Sequence, residues 1–390
     1  MDWSELKQRI AKWEDLHTEF KEWPIRPHDL AASLVAFANT DGGQLILGVA
    51  EDRKVVGVDD PDAVMQAVDQ IAHQNCAPPL PVIQETVQTE EGKTVVVVNV
   101  PKGDQRPYRT HRGIYYVRTT SGRRRASRWE LMRLFQAAEA LFYDETVVAQ
   151  ASLADLDAWA VERFLETAYH RSLEELGISY EQLLLNWRLI REQNDRFHPT
   201  VAGLLFFGRN PQRFLPQAHV AAARIPGEDL APPPSDAKRL EGPLPVILDD
   251  AVRFLRLHLQ VAHHLRGFEP EVYPELPEEA LRETLVNALA HRDYTVMAPV
   301  RLFIFNSRVV VRTPGGLPNT VTIEAMKLGA AHVLRNPTIY TLFSRLGMVT
   351  GIGSGVYRTI QMIKQATGRE PEIYLEGNEL VVSLPRRARG

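Results

Sequence analysis

Polar and apolar positions along the first 140 residues switch between two periods, and each switch marks an element. Residues 2–13 read as an amphipathic helix. In TEFKEW, Glu19, Lys21 and Trp23 alternate with Phe20, the period of a short strand. PHDLAASLVAFAN, 27–39, is apolar along most of its length, and Pro27 with Asp29 in its first turn predicts a helix that TDGG breaks. QLILGVAEDRKVVGV gives two β-rich runs joined around Glu51 to Lys54, a predicted hairpin. A helix near 61–73, strands near 82–88 and 94–100, the loop PKGDQRPY, a strand IYYVR and a helix from Ser127 complete an α+β unit at 1–140.

Beyond Leu141 the pattern changes. Turn residues become scarce to Asp157 and helices dominate 155–195, so 141–194 is expected as a helical connector. VAGLLFFG and AHVAAARI read as buried strands, while the three prolines of DLAPPPSDAKR predict an exposed loop. From Pro277 come one long helix, strands at 300–305 and 308–312, Gly-rich loops, more helices and a last strand, ELVVSLP. That order is α/β and defines a second domain at 195–390.

Composition bounds function more than fold. A chain of 390 residues exceeds one hydrophobic core, which agrees with two domains. The net charge of -4 gives no overall pull towards nucleic acid or membrane, so local clusters must supply any such contact. Cys76 is the single cysteine, which excludes an intramolecular disulfide and suits a reducing compartment. With no apolar signal core and no bilayer-length apolar run, a cytoplasmic protein without a membrane partner is expected.

Three clusters carry chemistry. Glu14 and Glu19 converge if the chain bends at Asp15 to Thr18, and Lys21 shares a strand face with Glu19. Two carboxylates beside an ammonium suit a hard Mg²⁺ or Mn²⁺ held against a phosphate, with Asp52 of the hairpin tip, or Glu51, as a third ligand; a solvated charged face is the alternative. Eight arginines, Arg106, Arg109, Arg112, Arg118, Arg123, Arg124, Arg125 and Arg128, lie between Gln105 and Arg128 without an acidic residue. Interleaved with Tyr108, His111, Tyr115 and Tyr116, they suit phosphate clamping and base stacking. On the long helix Glu283, Asn287 and His291 form one polar stripe, followed by the turns RTPGGLPNTVT, RNP and GIGSG, whose backbone suits a polyphosphate.

These stretches resemble known families. EDLHTEFK, LVAFANTDGGQLILGVAEDRKVVGV and RPYRTHRGIYYVRTTSGRRRAS resemble the AlbA-type domain of the Schlafen superfamily over about residues 10–135. Some domains of this kind are endoribonucleases using two glutamates and an aspartate, which implies Glu14, Glu19 and Asp52 as metal ligands with Lys21 beside them. Many bacterial relatives are described as DNA-binding regulators, so binding and cleavage both stay open.

VAGLLFFGRNPQRFLPQA, LRETLVNALAHRDY, TPGGLPNTVT, RNPTI and GIGSGVYRTI resemble the divergent GHKL-type ATP-binding domain of bacterial ATP-binding transcriptional regulators, over about residues 195–385. The resemblance implies ATP with Mg²⁺ on Asn287, Glu283 polarising a hydrolytic water, and His291 and Asp293 lining the site. It sets Gly315, Gly316, Gly353 and Gly355 near adenine or phosphates and implies a homo-oligomer. The adenine-recognising Asp-x-Gly-x-Gly of that family is Thr-Pro-Gly-Gly-Leu here. The combined expectation is an α+β AlbA-type domain and a GHKL-like α/β sandwich, acting on DNA or RNA under control of bound nucleotide. A Mn²⁺- or Mg²⁺-dependent nuclease in defence or stress is the other expectation.

Overall fold

A capping box opens the chain. Asp2 Oδ1 accepts from Glu5 N and Glu5 reaches back to Asp2 N, starting helix α1 (Trp3–Lys12). After a bend come β1 (Thr18–Lys21), α2 (Pro27–Asn39) and β2 (Gly43–Leu47), with α2 providing the crossover that the parallel β1/β2 pair needs. Next are α3 (Pro61–Gln74), β3 (Cys76–Ala77), β4 (Ile83–Gln88), β5 (Thr94–Val100) and β6 (Arg109–Thr110). The unit ends with β7 (Tyr116–Thr119), β8 (Gly122–Arg125) and α4 (Arg128–Ala137), which a Ser127/Glu130 capping box starts.

The main sheet has the order β1-β2-β5-β4 and is covered on both faces. Val96, Val98 and Val100 pack with α2 and α3, whereas Val95 and Val97 pack with Leu6 of α1. This two-sided burial is why TVVVVNV is apolar at almost every position. The predicted hairpin is present as a tight turn, closed by Ala50 N donating to Lys54 O at 2.9 Å.

This computed structural model describes residues 1–386 apart from 121, 139–140, 260, 267–268, 318–320, 331–332 and 350–353. It divides into two units, Met1–Leu141 and Phe142–Gly390. The second begins with α5 (Ala158–Tyr169), α6 (Leu173–Leu176), α7 (Tyr180–Asn186), the hairpin β9 (Ile190–Gln193) and β10 (Arg196–Pro199), and α8 (Val201–Phe207). Then come β11 (Val220–Arg224), β12 (Asp236–Leu240), α9 (Leu244–His258), β13 (Val261–Arg266), β14 (Glu269–Pro274) and α10 (Glu278–Ala290). The remainder is β15 (Val300–Ile304), β16 (Arg308–Pro314), α11 (Ile323–Lys327), α12 (Pro337–Arg345), α13 (Gly355–Thr367), β17 (Glu372–Glu376) and β18 (Glu379–Pro385). The six-stranded sheet runs β12-β11-β15-β16-β18-β17, with β11 and β15 parallel and its other pairs antiparallel.

Two expectations change. VAGLLFF is a helix rather than a strand: Thr200 caps it, and burial on every side erases the periodicity that separates the two. The loop expected over DLAPPPSDAKR ends early, because Asp236–Leu240 form the strand β12. The segment expected as a connector contributes Val161, Phe164 and Leu184 to the same core as Phe206, Leu285 and Val309. Among the described residues no helix is long and apolar enough to cross a membrane.

That segment also holds α12 in place. Asp144 is buried, and its Oδ2 accepts from Thr338 N at 2.9 Å and Ile339 N at 3.1 Å, capping a helix whose own Asn336 makes no side-chain cap. Burial pushes the Asp144 carboxyl up to about 7, from 3.8 for an exposed aspartate. Between those values the folded chain keeps a proton that the unfolded chain has lost, so stability falls as pH rises from about 4 to about 7. Asp144→Asn mimics the protonated acid and is expected to remove this loss. In urea denaturation the variant should gain on wild type as pH rises from about 4 to about 7; a gap independent of pH would contradict the assignment.

Candidate nucleic-acid and nucleotide sites

In the first unit the bend after α1 brings Glu14 and Glu19 to one lysine. Lys21 Nζ lies 3.4 Å from Glu19 Oε1 and 3.9 Å from Glu14 Oε1. Glu14 Oε1 also accepts from Phe20 N at 3.1 Å. Glu19 is only 3% exposed, and its charged partners are cations. Arg118 NH1 donates to Oε2 at 2.6 Å, while Arg123 NH1 at 3.4 Å and Ser33 Oγ at 3.0 Å donate to Oε1. Asp52 is exposed at the hairpin tip and pairs with Lys54 at 2.7 Å, which lowers its pKa. The structure therefore unites two of the three expected metal ligands. Among the described residues no three His, Cys, Asp or Glu side chains stand close enough together to hold a metal.

The arginine strip separates into two populations. Arg118 is internal: besides Glu19 it donates to Asp15 O at 2.8 Å, Thr18 O at 3.3 Å and Leu16 O at 3.4 Å, with its guanidinium 4.5 Å from the Phe37 ring centre. Burial lowers its pKa and the Glu19 charge opposes that shift. Arg106 and Tyr108 are also buried, and the Tyr108 hydroxyl donates to Asp104 at 3.2 Å. These three were expected at the nucleic-acid surface and instead lie inside the fold. Arg123 is tied to Asp29 at 2.8 Å and to Ser33 Oγ at 2.6 Å. Arg124 grips Glu130 with two bonds of 2.8 and 2.7 Å, and chiefly that contact draws the Glu130 carboxyl down to about 2.

Arg109, Arg112, Arg125 and Arg128 are exposed and make no ion pair among the described residues. They are the charges left for a polyanion. Asn39 had not been singled out: its Nδ2 donates to Tyr108 O at 2.8 Å and Tyr116 O at 3.0 Å, fastening the arginine-bearing segment to α2. Its signal was present in AFANTDGG, as a polar residue ending an apolar helix.

In the second unit a cavity of about 140 Å³ lies between α10, α13 and the face of the sheet carrying Val311 and Val382. Glu283, Asn287 and His291 line it, as the stripe predicts. Asn287 Nδ2 donates to Glu283 Oε1 at 3.2 Å, and burial raises the Glu283 pKa. Gly355 begins α13 directly against this carboxylate, since a Cβ built there would fall 1.7 Å from Glu283 Oε1.

Gly315 and Gly316 line the cavity, but their N–H groups donate to Asn378, to its backbone oxygen at 2.8 Å and its side chain at 3.1 Å. Gly315 has φ +106°, and an added Cβ would strike Arg335 and Asp293. Asp293 stands behind this turn, with Oδ1 accepting from Thr295 N at 2.9 Å, and is not a lining residue. Gly353 lies outside the described residues.

Arg335 lines the cavity, and neither it nor the neighbouring Asn336 had been singled out. Arg335 donates to His291 O at 3.1 Å and to Gly316 O, and Asn336 Nδ2 donates to Ala290 O and Arg292 O at 2.8 Å each. The turn RNP was visible in the sequence, but which carbonyls its side chains reach depends on the tertiary fold. The donor set fits a nucleotide with Mg²⁺: the Asn287 amide, whose nitrogen donates to Glu283, offers its oxygen as a ligand.

The Schlafen, AlbA_2 family matches residues 14–127, and the family described as "Putative ATP-dependent DNA helicase recG C-terminal" matches 298–384. The chain joins a Schlafen AlbA_2 domain to a RecG-like C-terminal domain. Residues 132–221 match a domain of unknown function, DUF8451. The AlbA_2 match holds the glutamate pair and the arginines as far as Arg125, with Arg128 just beyond it, and the RecG-like match holds Gly315, Arg335 and α13. Among solved structures, the DIP2311 protein of Corynebacterium diphtheriae is similar at 22% identity, over 98% of this chain and 80% of its own, with a TM-score of 0.49. The N-terminal domain of a RecG-related protein from Nitrosomonas europaea is similar at 26% identity, over 28% of this chain and 76% of its own, with a TM-score of 0.22. No curated protein matches.

Proposed function

We propose that the protein holds nucleic acid on Arg109, Arg112, Arg125 and Arg128 without cutting it, and binds ATP with Mg²⁺ in the cavity of the RecG-like domain. The two domain types make it a nucleic-acid-related, ATP-binding protein. The observation that carries the finer reading is the division of the arginine strip: the buried or paired arginines serve the fold, and four exposed ones have no carboxylate partner among the described residues. Binding without cleavage is favoured because both Glu19 oxygens are engaged by arginine and Asp52 is engaged by Lys54.

At the nucleotide site Asn287 would hold Mg²⁺ through its amide oxygen, and bound Mg²⁺ would offset the phosphate charge. Glu283 keeps the amide oriented through the 3.2 Å bond. Arg335 and Asn336 fix the wall beside His291 through the carbonyls they bind. In calorimetric titrations Asn287→Ala is expected to weaken ATP binding by about tenfold or more with Mg²⁺ present, and to change it little in a chelator. Equal affinities of variant and wild type in Mg²⁺ would remove Asn287 from the site.

A further inference from the structure

Threonines in helix interiors usually return their hydroxyl to the carbonyl four residues back. Thr284 does so to Ala280 O at 2.8 Å, Thr341 to Pro337 O at 2.7 Å and Thr367 to Ile363 O at 2.8 Å. Thr359, on α13 and only 6% exposed, does not: its Oγ1 is buried without a partner among the described residues while the residue lines the cavity. A buried hydroxyl left without a bond is costly, and a ligand group that meets it would remove that cost.

The surroundings limit what that group is. Val311, Ile360, Ile373 and Val382 give this part of the cavity apolar walls, suited to the face of a flat heterocycle. Thr313, buried at the end of β16, adds a second hydroxyl-bearing side chain. The carboxylate among the lining residues is Glu283, which is held by Asn287 against Gly355. A base in the apolar part therefore meets neutral hydroxyls. A carboxylate only accepts hydrogen bonds and would demand an amino group from the base, whereas a hydroxyl both donates and accepts and rotates to suit. Adenine presents an amino donor where guanine presents a carbonyl acceptor.

We propose that this site takes purine nucleoside triphosphates with little discrimination between ATP and GTP, with Thr359 and Thr313 as the base-contacting residues. The inference rests on the nucleotide-binding function proposed above. Its test titrates the full chain, wild type and Thr359→Val, with Mg·ATP and Mg·GTP by calorimetry. Valine keeps the shape of threonine, and a matching melting temperature would show that the variant folds.

The expected result is ATP and GTP affinities within about tenfold of each other in wild type, with both weakened about three- to tenfold by Thr359→Val. Wild type that binds ATP but rejects GTP by about a hundredfold or more overturns the inference and leaves nucleotide binding standing. So does a Thr359→Val variant that binds both as wild type does. Binding of neither nucleotide overturns the inference together with the function it rests on.

Discussion

Glu19→Ala is expected to destabilise the first unit by about 3–5 kcal/mol, because it strands the Arg118 guanidinium in the interior without its counter-charge. The side chain of Arg118 is 0% exposed, and Glu19 Oε2 is its one carboxylate contact among the described residues, at 2.6 Å. The carbonyls of Asp15, Leu16 and Thr18 satisfy its other N–H groups but carry no net charge. Loss of the carboxylate would also remove the acceptor that Arg123 and Ser33 share on β1, although Asp29 and Ser33 still hold Arg123 to α2. Urea or thermal denaturation of the full chain should show the first transition moved sharply downward, while Asp52→Ala, at the exposed hairpin tip, leaves it in place. Similar small changes in both variants would contradict a structural Glu19. A cleavage assay on Glu19 variants would therefore report folding as much as chemistry. Glu14→Gln is the cleaner probe of metal-dependent cleavage, since Glu14 is partly exposed and does not contact Arg118.

The second large effect lies on the surface. Substituting Arg109, Arg112, Arg125 and Arg128 together by Gln is expected to reduce the slope of log K against log salt by about 3–4 for duplex DNA, at roughly 0.9 per lost phosphate contact. Affinity at low salt should fall by about a hundredfold or more on the same grounds. Arg124→Gln is the control, because its guanidinium is already committed to Glu130 through two hydrogen bonds. A quadruple variant with wild-type slope would place the binding surface elsewhere.

Much of this was legible in the sequence where the governing forces are local. The Pro27 helix start, the helix start at Ser127 and the alternating runs set element type and position within a few residues. The stripe Glu283, Asn287 and His291 follows from helical period alone and does line a cavity. Burial was not legible. Arg118 and Arg125 both belong to the arginine strip, yet one lies inside and the other outside, because a residue 99 positions away decides whether a carboxylate waits to receive the charge. VAGLLFF failed for a related reason: a short segment buried on every side has no period to read. Asp144, whose helix cap spans 194 positions to Thr338, leaves no local trace at all.

The most direct test of the central claim is equilibrium binding of wild-type protein to end-labelled single-stranded and duplex nucleic acid over a salt series in Mg²⁺, with recovered substrate run on a denaturing gel. The account predicts binding that weakens linearly in log K against log salt, and substrate recovered at full length. Cleaved substrate would restore the nuclease reading of Glu14 and Glu19, and retention that ignores salt would show that the four arginines do not carry the contact.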